Sequence, residues 1–253
     1  MALGLLVACS QNLSGQVIEV QELEAAAAAT KPPSVSAQDL APVAELIVRQ
    51  SNEFRKSQQL NPVAVSSHLT AAAQYFANYM ARTDRYGHTA DGKRPADRAK
   101  EHGYEYCIVS ENIAYQYSSA GFKNEELAAK LVEGWKNSPG HRKNMLEPFV
   151  VETAVAVAQS ANTDHYYAVQ MFGRPKSSSI EFSIENKSEQ TIEYIIEERT
   201  FSLPPMFTRT HTRCRPPEVL MMLGETNATQ TLKPEGGQSY RVVSQNGELR
   251  VLK

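Results

Sequence analysis

The chain has 253 residues, 42% of them apolar and 21% charged, with a net charge of −2 from 26 basic and 28 acidic side chains. This is enough apolar material for one large domain or a medium domain with a smaller one. No basic surplus and no charge block favours nucleic acid or an acidic ligand, and no stretch approaches the ~18–20 apolar residues of a spanning helix, so membrane attachment would run only through a lipid anchor.

In chain order, Leu5-Leu6-Val7-Ala8-Cys9-Ser10 has the form of a lipobox, in which cleavage before the cysteine leaves a lipidated N-terminus. Only Met1-Ala2-Leu3-Gly4 precede it, without Lys or Arg, and the apolar run is short for a signal peptide. Residues 1–9 are read as a signal segment with Cys9 as the lipidation site. Residues 10–37, with the low-complexity run Ala25 to Ala29 and the breaker Pro32-Pro33, are read as a flexible tether.

A first helix is predicted from Gln38 to about Gln59, with Leu40, Val43, Leu46, Ile47 and Phe54 as its apolar stripe and Asn52 and Arg55 on a polar face. Leu60-Asn61-Pro62-Val63 connects it to a second helix that starts at Ser66 or Ser67 and ends near Asp84. A short helix follows from Pro95 to Gly103, then a longer one from Asn124 to Lys136. Ser138-Pro139 restarts a helix as N-cap and first residue. Val150 to Ala158 and His165 to Phe172 are predicted to form a β-hairpin about the turn Asn162-Thr163-Asp164.

Between these elements lie three titratable groups beside turns or helix starts: His88 in Tyr86-Gly87-His88-Thr89, Glu111 in Ser110-Glu111-Asn112-Ile113-Ala114, and His141 in Ser138-Pro139-Gly140-His141. Two imidazoles and a carboxylate can build a proton-transfer site or a metal site. At the start of a helix the dipole disfavours the imidazolium, so His141 is expected neutral and able to act as ligand or base. Gln170 is a weaker candidate to line the same cleft. Arg142 and Asn144 suit capping or buttressing, and His68, His102 and His211 have no partner in the sequence.

These pieces in this order, followed by Trp135 before Ser138-Pro139-Gly140-His141-Arg142-Lys143-Asn144-Met145-Leu146, then Val151-Glu152-Thr153-Ala154-Val155-Ala156-Val157-Ala158 and Tyr166-Tyr167-Ala168-Val169-Gln170-Met171-Phe172, resemble a bacterial member of the CAP superfamily. That superfamily (SCP/PR-1-like) includes cysteine-rich secretory proteins, antigen 5 and plant PR-1. The resemblance spans about Gln38 to Pro175. It implies an α+β chain: a CAP domain over 38–175, built as an α-β-α sandwich around a small antiparallel sheet, with a central cleft that in many eukaryotic members holds two His and two Glu. His88, Glu111 and His141 match three of those positions. Ser138 stands where the second Glu usually lies, so it is expected at the rim of an incomplete tetrad.

What the resemblance implies about function is an exported module of the cell envelope, periplasmic, cell-surface or secreted, with a His/Glu-lined cleft. The expected partners are an envelope lipid, a sterol-like ligand, or a peptide or protein. His88 and His141 are the expected ligands for zinc or another divalent metal. The alternative is a metal-dependent hydrolase of peptide or envelope polymer. Catalytic zinc usually has three protein ligands and water, and here only two imidazoles stand out. No activated nucleophile is visible, since Ser138 is better used as an N-cap.

Residues 176–253 change pattern and are read as a small all-β domain. Strands are predicted at Ile180–Ile184, within Thr191–Thr200, and at Leu220–Leu223, Tyr240–Val243 and Leu249–Leu252, with turns at 185–188, 224–227, 234–237 and Asn246-Gly247. Phe201 to Pro217 is read as a long connection. With Cys9 acylated, Cys107 and Cys214 are the remaining thiols. Export would favour a disulfide between them, stapling the two domains, and the alternative is two buried unpaired cysteines.

Overall fold

The computed structural model describes residues 39–223 and 228–253, so the expected signal segment, Cys9, the tether and the turn at 224–227 lie outside the described residues. Five helices and a four-stranded sheet make up the first part. Helix α1 (Ala41–Ser57) carries Pro42 in its first turn and buries Val43, Ile47, Ser51 and Arg55, a stripe at i, i+4. Helix α2 (Ser67–Thr83) buries Leu69, Ala72, Ala73, Phe76, Ala77 and Met80 and ends at Asp84, whose φ of 51° is the left-handed cap. Helices α3 (Pro95–Glu101), α4 (Asn124–Asn137) and α5 (Pro139–Met145) follow the expected Pro and capping signals. Ser138 is the N-cap of α5, yet its side chain makes no capping hydrogen bond.

The sheet runs β1 (Ala64–Val65), β3 (Glu152–Gln159), β4 (His165–Pro175), β2 (Tyr106–Tyr117). Its long pairs are antiparallel, but β1 joins β3 in parallel, so the sheet is not purely antiparallel as expected. Alternation on β4 builds the two cores. Tyr166, Ala168 and Phe172 pack with α1, α4 and α5, while Tyr167, Val169 and Met171 pack with α2 and α3. The result is the expected α-β-α sandwich.

Strand β2 was not anticipated, because Glu111 and Asn112 are consecutive polar residues in what resembled a helix start. Both are buried, on opposite faces, since the strand is covered on two sides. Its outer edge is also covered: the carbonyl of Ile113 accepts from Trp135 Nε1 (3.2 Å) and the Tyr86 hydroxyl (3.1 Å). Arg55 likewise departs from its expected polar face. It is fully buried and donates to the carbonyls of Asn61 (2.9 Å), Met145 (2.7 Å) and Glu147 (3.0 Å), locking α1 to the end of α5.

The remainder is all-β, with its own core of Phe182, Ile184, Tyr194, Met221 and Val242. One sheet orders β10 (Ala228–Leu232), β9 (Val219–Leu223), β6 (Ile192–Ile196), β7 (Arg199–Leu203), and the other β12 (Glu248–Leu252), β11 (Gln238–Gln245), β5 (Ile180–Asn186), β8 (Thr208–Arg213). The stretch 191–200 holds parts of two strands, turned at Glu197 and Glu198 with φ of 49° and 66°. Phe201 to Pro217 is not a connection, since it contains most of β7 and all of β8. Strand β8, Thr-Arg-Thr-His-Thr-Arg, buries only His211 and so lacks an apolar alternation. A disulfide joins Cys107, at the start of β2, to Cys214, after β8, with Cα atoms 5.2 Å apart. Both cysteines pack against the core beneath α1 and α4. Arg215 adds an ion pair to Glu147 at 3.4 Å.

Candidate functional site

The chain leaving α2 turns through 86–93 before α3, and a guanidinium from α3 holds that turn in place. Arg98 has no solvent exposure. It donates to Asp91 Oδ1 (2.8 Å), to the carbonyls of Lys93 (2.8 Å) and His88 (3.0 Å), and to Glu111 Oε2 (2.7 Å). Its plane sits 3.5 Å from the centroid of Phe76. A buried charge of this kind persists only when paired and hydrogen-bonded, and here one side chain satisfies the loop and the sheet together. The Tyr79 hydroxyl adds a bond to the carbonyl of Ala90 at 3.0 Å.

Glu111 lies in the middle of β2, not at a helix start, and pairs with Met171, which places it on the α2 face. Its side chain is fully excluded from solvent. With Oε2 on Arg98, Oε1 lies 2.8 Å from His88 Nδ1. An ionised carboxylate accepts only, so Nδ1 carries the proton and Nε2 is left for the outside. The His88 side chain is 48% exposed. The imidazole is thus held at one edge and open at the other.

His141 is brought to this place by two asparagines. Asn112, on the opposite face of β2 from Glu111, donates to the His141 carbonyl (3.1 Å). Asn144 donates to the Glu111 carbonyl (3.1 Å) and to Asn112 Oδ1 (2.9 Å). Helix α5 is thereby latched to the outer edge of β2. Burial, and then the charge of His88, push the His141 imidazole below its ordinary pKa, which keeps it neutral at neutral pH. His88 and Glu111 are thus in direct contact, and His141 lies near enough for the charge of His88 to act on its ring. Ser138, half-buried, stands at the N-cap three residues before His141. Gln170 does not join them. It is fully buried on the other face of the sheet, where its Nε2 donates to Ser51 Oγ at 3.0 Å.

Arg98, Asp91 and Asn112 complete the site and were not singled out in the sequence. Asn112 stood inside the motif that carried Glu111, whereas Arg98 had no local signal. As to a metal, among the described residues no group of three or more His, Cys, Asp or Glu is arranged to hold one. Glu111 is occupied by Arg98 and His88, so the donors on offer are two imidazoles. A carboxylate behind a ligating histidine is the usual way to orient it, but two imidazoles fall short of the three protein ligands of a catalytic zinc centre. Cavities of about 400 and 370 Å³ lie elsewhere, between α1 and the start of α4 and beside the end of α2, and neither contains these residues.

Residues 48–172 match the profile of the cysteine-rich secretory protein (CAP) family. Over 132 residues, 52% of this chain and 46% of the relative, the sequence is 29% identical to the uncharacterized protein YkwD of Bacillus subtilis (strain 168), so the chain spans about half the length of that curated relative. Among solved structures, an outer surface protein from Borrelia burgdorferi aligns with 18% identity over 55% of this chain and 98% of its own, at a TM-score of 0.49. An extracellular protein containing an SCP domain from Bacillus anthracis str. Ames aligns with 23% identity over 52% of this chain and 40% of its own, at a TM-score of 0.43. Among the described residues, no helix is long and apolar enough to cross a membrane.

Proposed function

Because residues 48–172 form a domain of the CAP family, we propose that the chain is an exported binding module of the cell envelope, acting through the surface around His88, Glu111 and His141. The observation that carries this reading is the double commitment of Glu111, with one oxygen on Arg98 and the other on His88. Burying a carboxylate and a guanidinium adds little net stability. Its evident product is a fixed, half-exposed imidazole beside a neutral one, a preorganised recognition edge. A disulfide between Cys107 and Cys214 accords with an oxidising compartment. Cys9 would supply the lipid anchor. The ligands that suit this edge are an envelope lipid, a sterol-like molecule, or a peptide or protein. The imidazole pair also offers two ligands to zinc or another divalent ion, which would add a Lewis-acidic point to the surface.

The test is co-sedimentation of purified protein with isolated envelopes, with zinc titrated in parallel by calorimetry. Wild type is expected to sediment, and His88→Ala and His141→Ala each to lose zinc binding and weaken sedimentation. Equal sedimentation of all three proteins would reject the assignment. The carboxylate-held imidazole also suits a metal-dependent hydrolase of peptide or envelope polymer. Release of soluble fragments from envelopes by zinc-loaded protein, lost in Glu111→Gln, would favour that second reading.

A further inference from the structure

The face of β2 that carries Glu111 continues through Ile113 to Tyr115 and Tyr117, and their partners across β4 are Tyr167 and His165. Ile113 is buried under α2, but Tyr115 and Tyr117 are 47% and 60% exposed, and Tyr86, two residues before His88, is 47% exposed. The rings form a continuous row. Centroid distances are 5.0 Å from Tyr86 to Tyr115, 5.2 Å from Tyr115 to His165, and 5.4 Å from His165 to Tyr117. Tyr167 underlies the row, is only 4% exposed, and donates to Asp84 at 3.2 Å. Cross-strand ring pairs stabilise a sheet, yet that role does not require three adjacent tyrosines to stay half in water beside a polar site.

We propose that this row is a binding platform for an uncharged polysaccharide strand, running outward from the His88–Glu111 pair. Three properties select that ligand. Each ring has an apolar body and a polar atom, which suits a pyranose, whose C–H face is electropositive against the π cloud and whose rim carries hydroxyls. An aliphatic lipid or an amphipathic helix would instead call for Leu, Val or Met. The electrostatics are neutral. The row itself contains no Lys, Arg, Asp or Glu, though Arg85 and Asp164 flank it in sequence, and the carboxylates of Glu111 and Asp84 are engaged, Glu111 by Arg98 and His88, and Asp84 by Ser160, Thr163 and Tyr167. The rings themselves carry no fixed charge to select a polyanion or a polycation. Adjacent ring planes are inclined by 81°, 74° and 56°, so the row offers ring faces and edges in alternation rather than one flat stack, and mutual packing fixes the rings before binding, which lowers the entropy cost.

The inference rests on this face being the envelope-binding face proposed above. It is tested by calorimetry of the whole chain with β-1,4-linked N-acetylglucosamine oligomers from dimer to hexamer. Affinity is expected to rise with length up to about four units and then level, independent of salt. Tyr117→Ala is expected to weaken the tetramer about tenfold, while Tyr117→Phe, which keeps the ring, stays within about threefold. Tyr115→Ala is the second variant, and an unchanged thermal melt verifies each fold. Length-independent affinity, an unaffected Tyr117→Ala, or preferred binding of an oligolysine that disappears with salt would each overturn the proposal. If the oligomers fail but His88→Ala still abolishes envelope sedimentation, the ligand class is wrong and the functional face stands. If neither substitution alters sedimentation, the face itself is wrong.

Discussion

Arg98 and Glu111 meet at 2.7 Å with neither side chain exposed to solvent. Arg98 is shared between two buried carboxylates, Glu111 and Asp91 at 2.8 Å, and it also carries the loop that presents His88. Removing the guanidinium leaves two buried carboxylates, Glu111 with one imidazole contact and Asp91 with the Lys93 backbone N–H. Arg98→Met is therefore expected to destabilise the fold by about 3–5 kcal/mol. The triple variant Arg98→Met, Glu111→Gln, Asp91→Asn should be more stable than Arg98→Met alone, because Asp91, buried and 2.8 Å from Arg98, is then neutral as well and no orphan charge remains. Urea denaturation of both proteins decides this, and equal midpoints would show that the pair is solvated.

His211 gives the β-domain an acid limit. It is buried beside Tyr194, with Nε2 and the hydroxyl 2.9 Å apart. Burial, then the charges of Arg213 and Arg209, push its pKa down to about 4. The unfolded chain takes up this proton near the ordinary value of about 6.5, the folded chain only near 4. Stability from this group is thus complete above about pH 6.5 and is lost as pH falls toward 4, by on the order of 2–3 kcal/mol. Denaturation midpoints across that range should show the slope, and His211→Phe should remove it whatever its absolute stability.

Gly173 has a packing role. Tyr104 lies across it, 3% exposed, with its hydroxyl donating to Glu152 at 2.6 Å. A Cβ at 173 would come within 2.7 Å of the Tyr104 ring carbons. Gly173→Ala should cost about 1–3 kcal/mol through overpacking. In a Tyr104→Ala background the same substitution should cost far less, and a double-mutant cycle by urea denaturation measures the coupling.

The disulfide closes a separation of 107 residues. In the chain-entropy treatment it contributes about 4–5 kcal/mol by restricting the unfolded ensemble. Cys107→Ser, Cys214→Ser protein should melt at a lower temperature than the oxidised wild type and be insensitive to reductant. A melt of wild type that does not move on reduction would contradict this.

Much of the first domain was legible in the sequence because helices declare themselves locally. The stripe from Val43 to Ile47, the Pro at 95 and 139, and the left-handed Asp84 act within a few residues of themselves. Strand β2 was hidden because Glu111 and Asn112 are satisfied by partners 13 to 32 positions away, and nothing nearby marks them as buried. Arg55 and Arg98 were hidden for the same reason, since a charge becomes a core residue only through carbonyls and carboxylates brought from elsewhere. Gln170 shows the limit of strand periodicity. Its orientation opposite Tyr167 follows from alternation, but which face holds the site depends on the register of Glu111 with Met171. Likewise His88, Glu111 and His141 could be named from motifs, whereas the asparagine latch that brings α5 to β2 required the fold.

The bond between Cys107 and Cys214 also changes what a protease can accomplish. Every peptide between those two positions, including the single helical turn Lys176–Ser178 that leads into β5, belongs to a closed covalent ring. A cut at Lys176 opens the ring without releasing either half. The nicked molecule would migrate as one species on a non-reducing gel and as two after reduction. Wherever proteases act, the link between strand β2 and the all-β part therefore survives the loss of its own backbone.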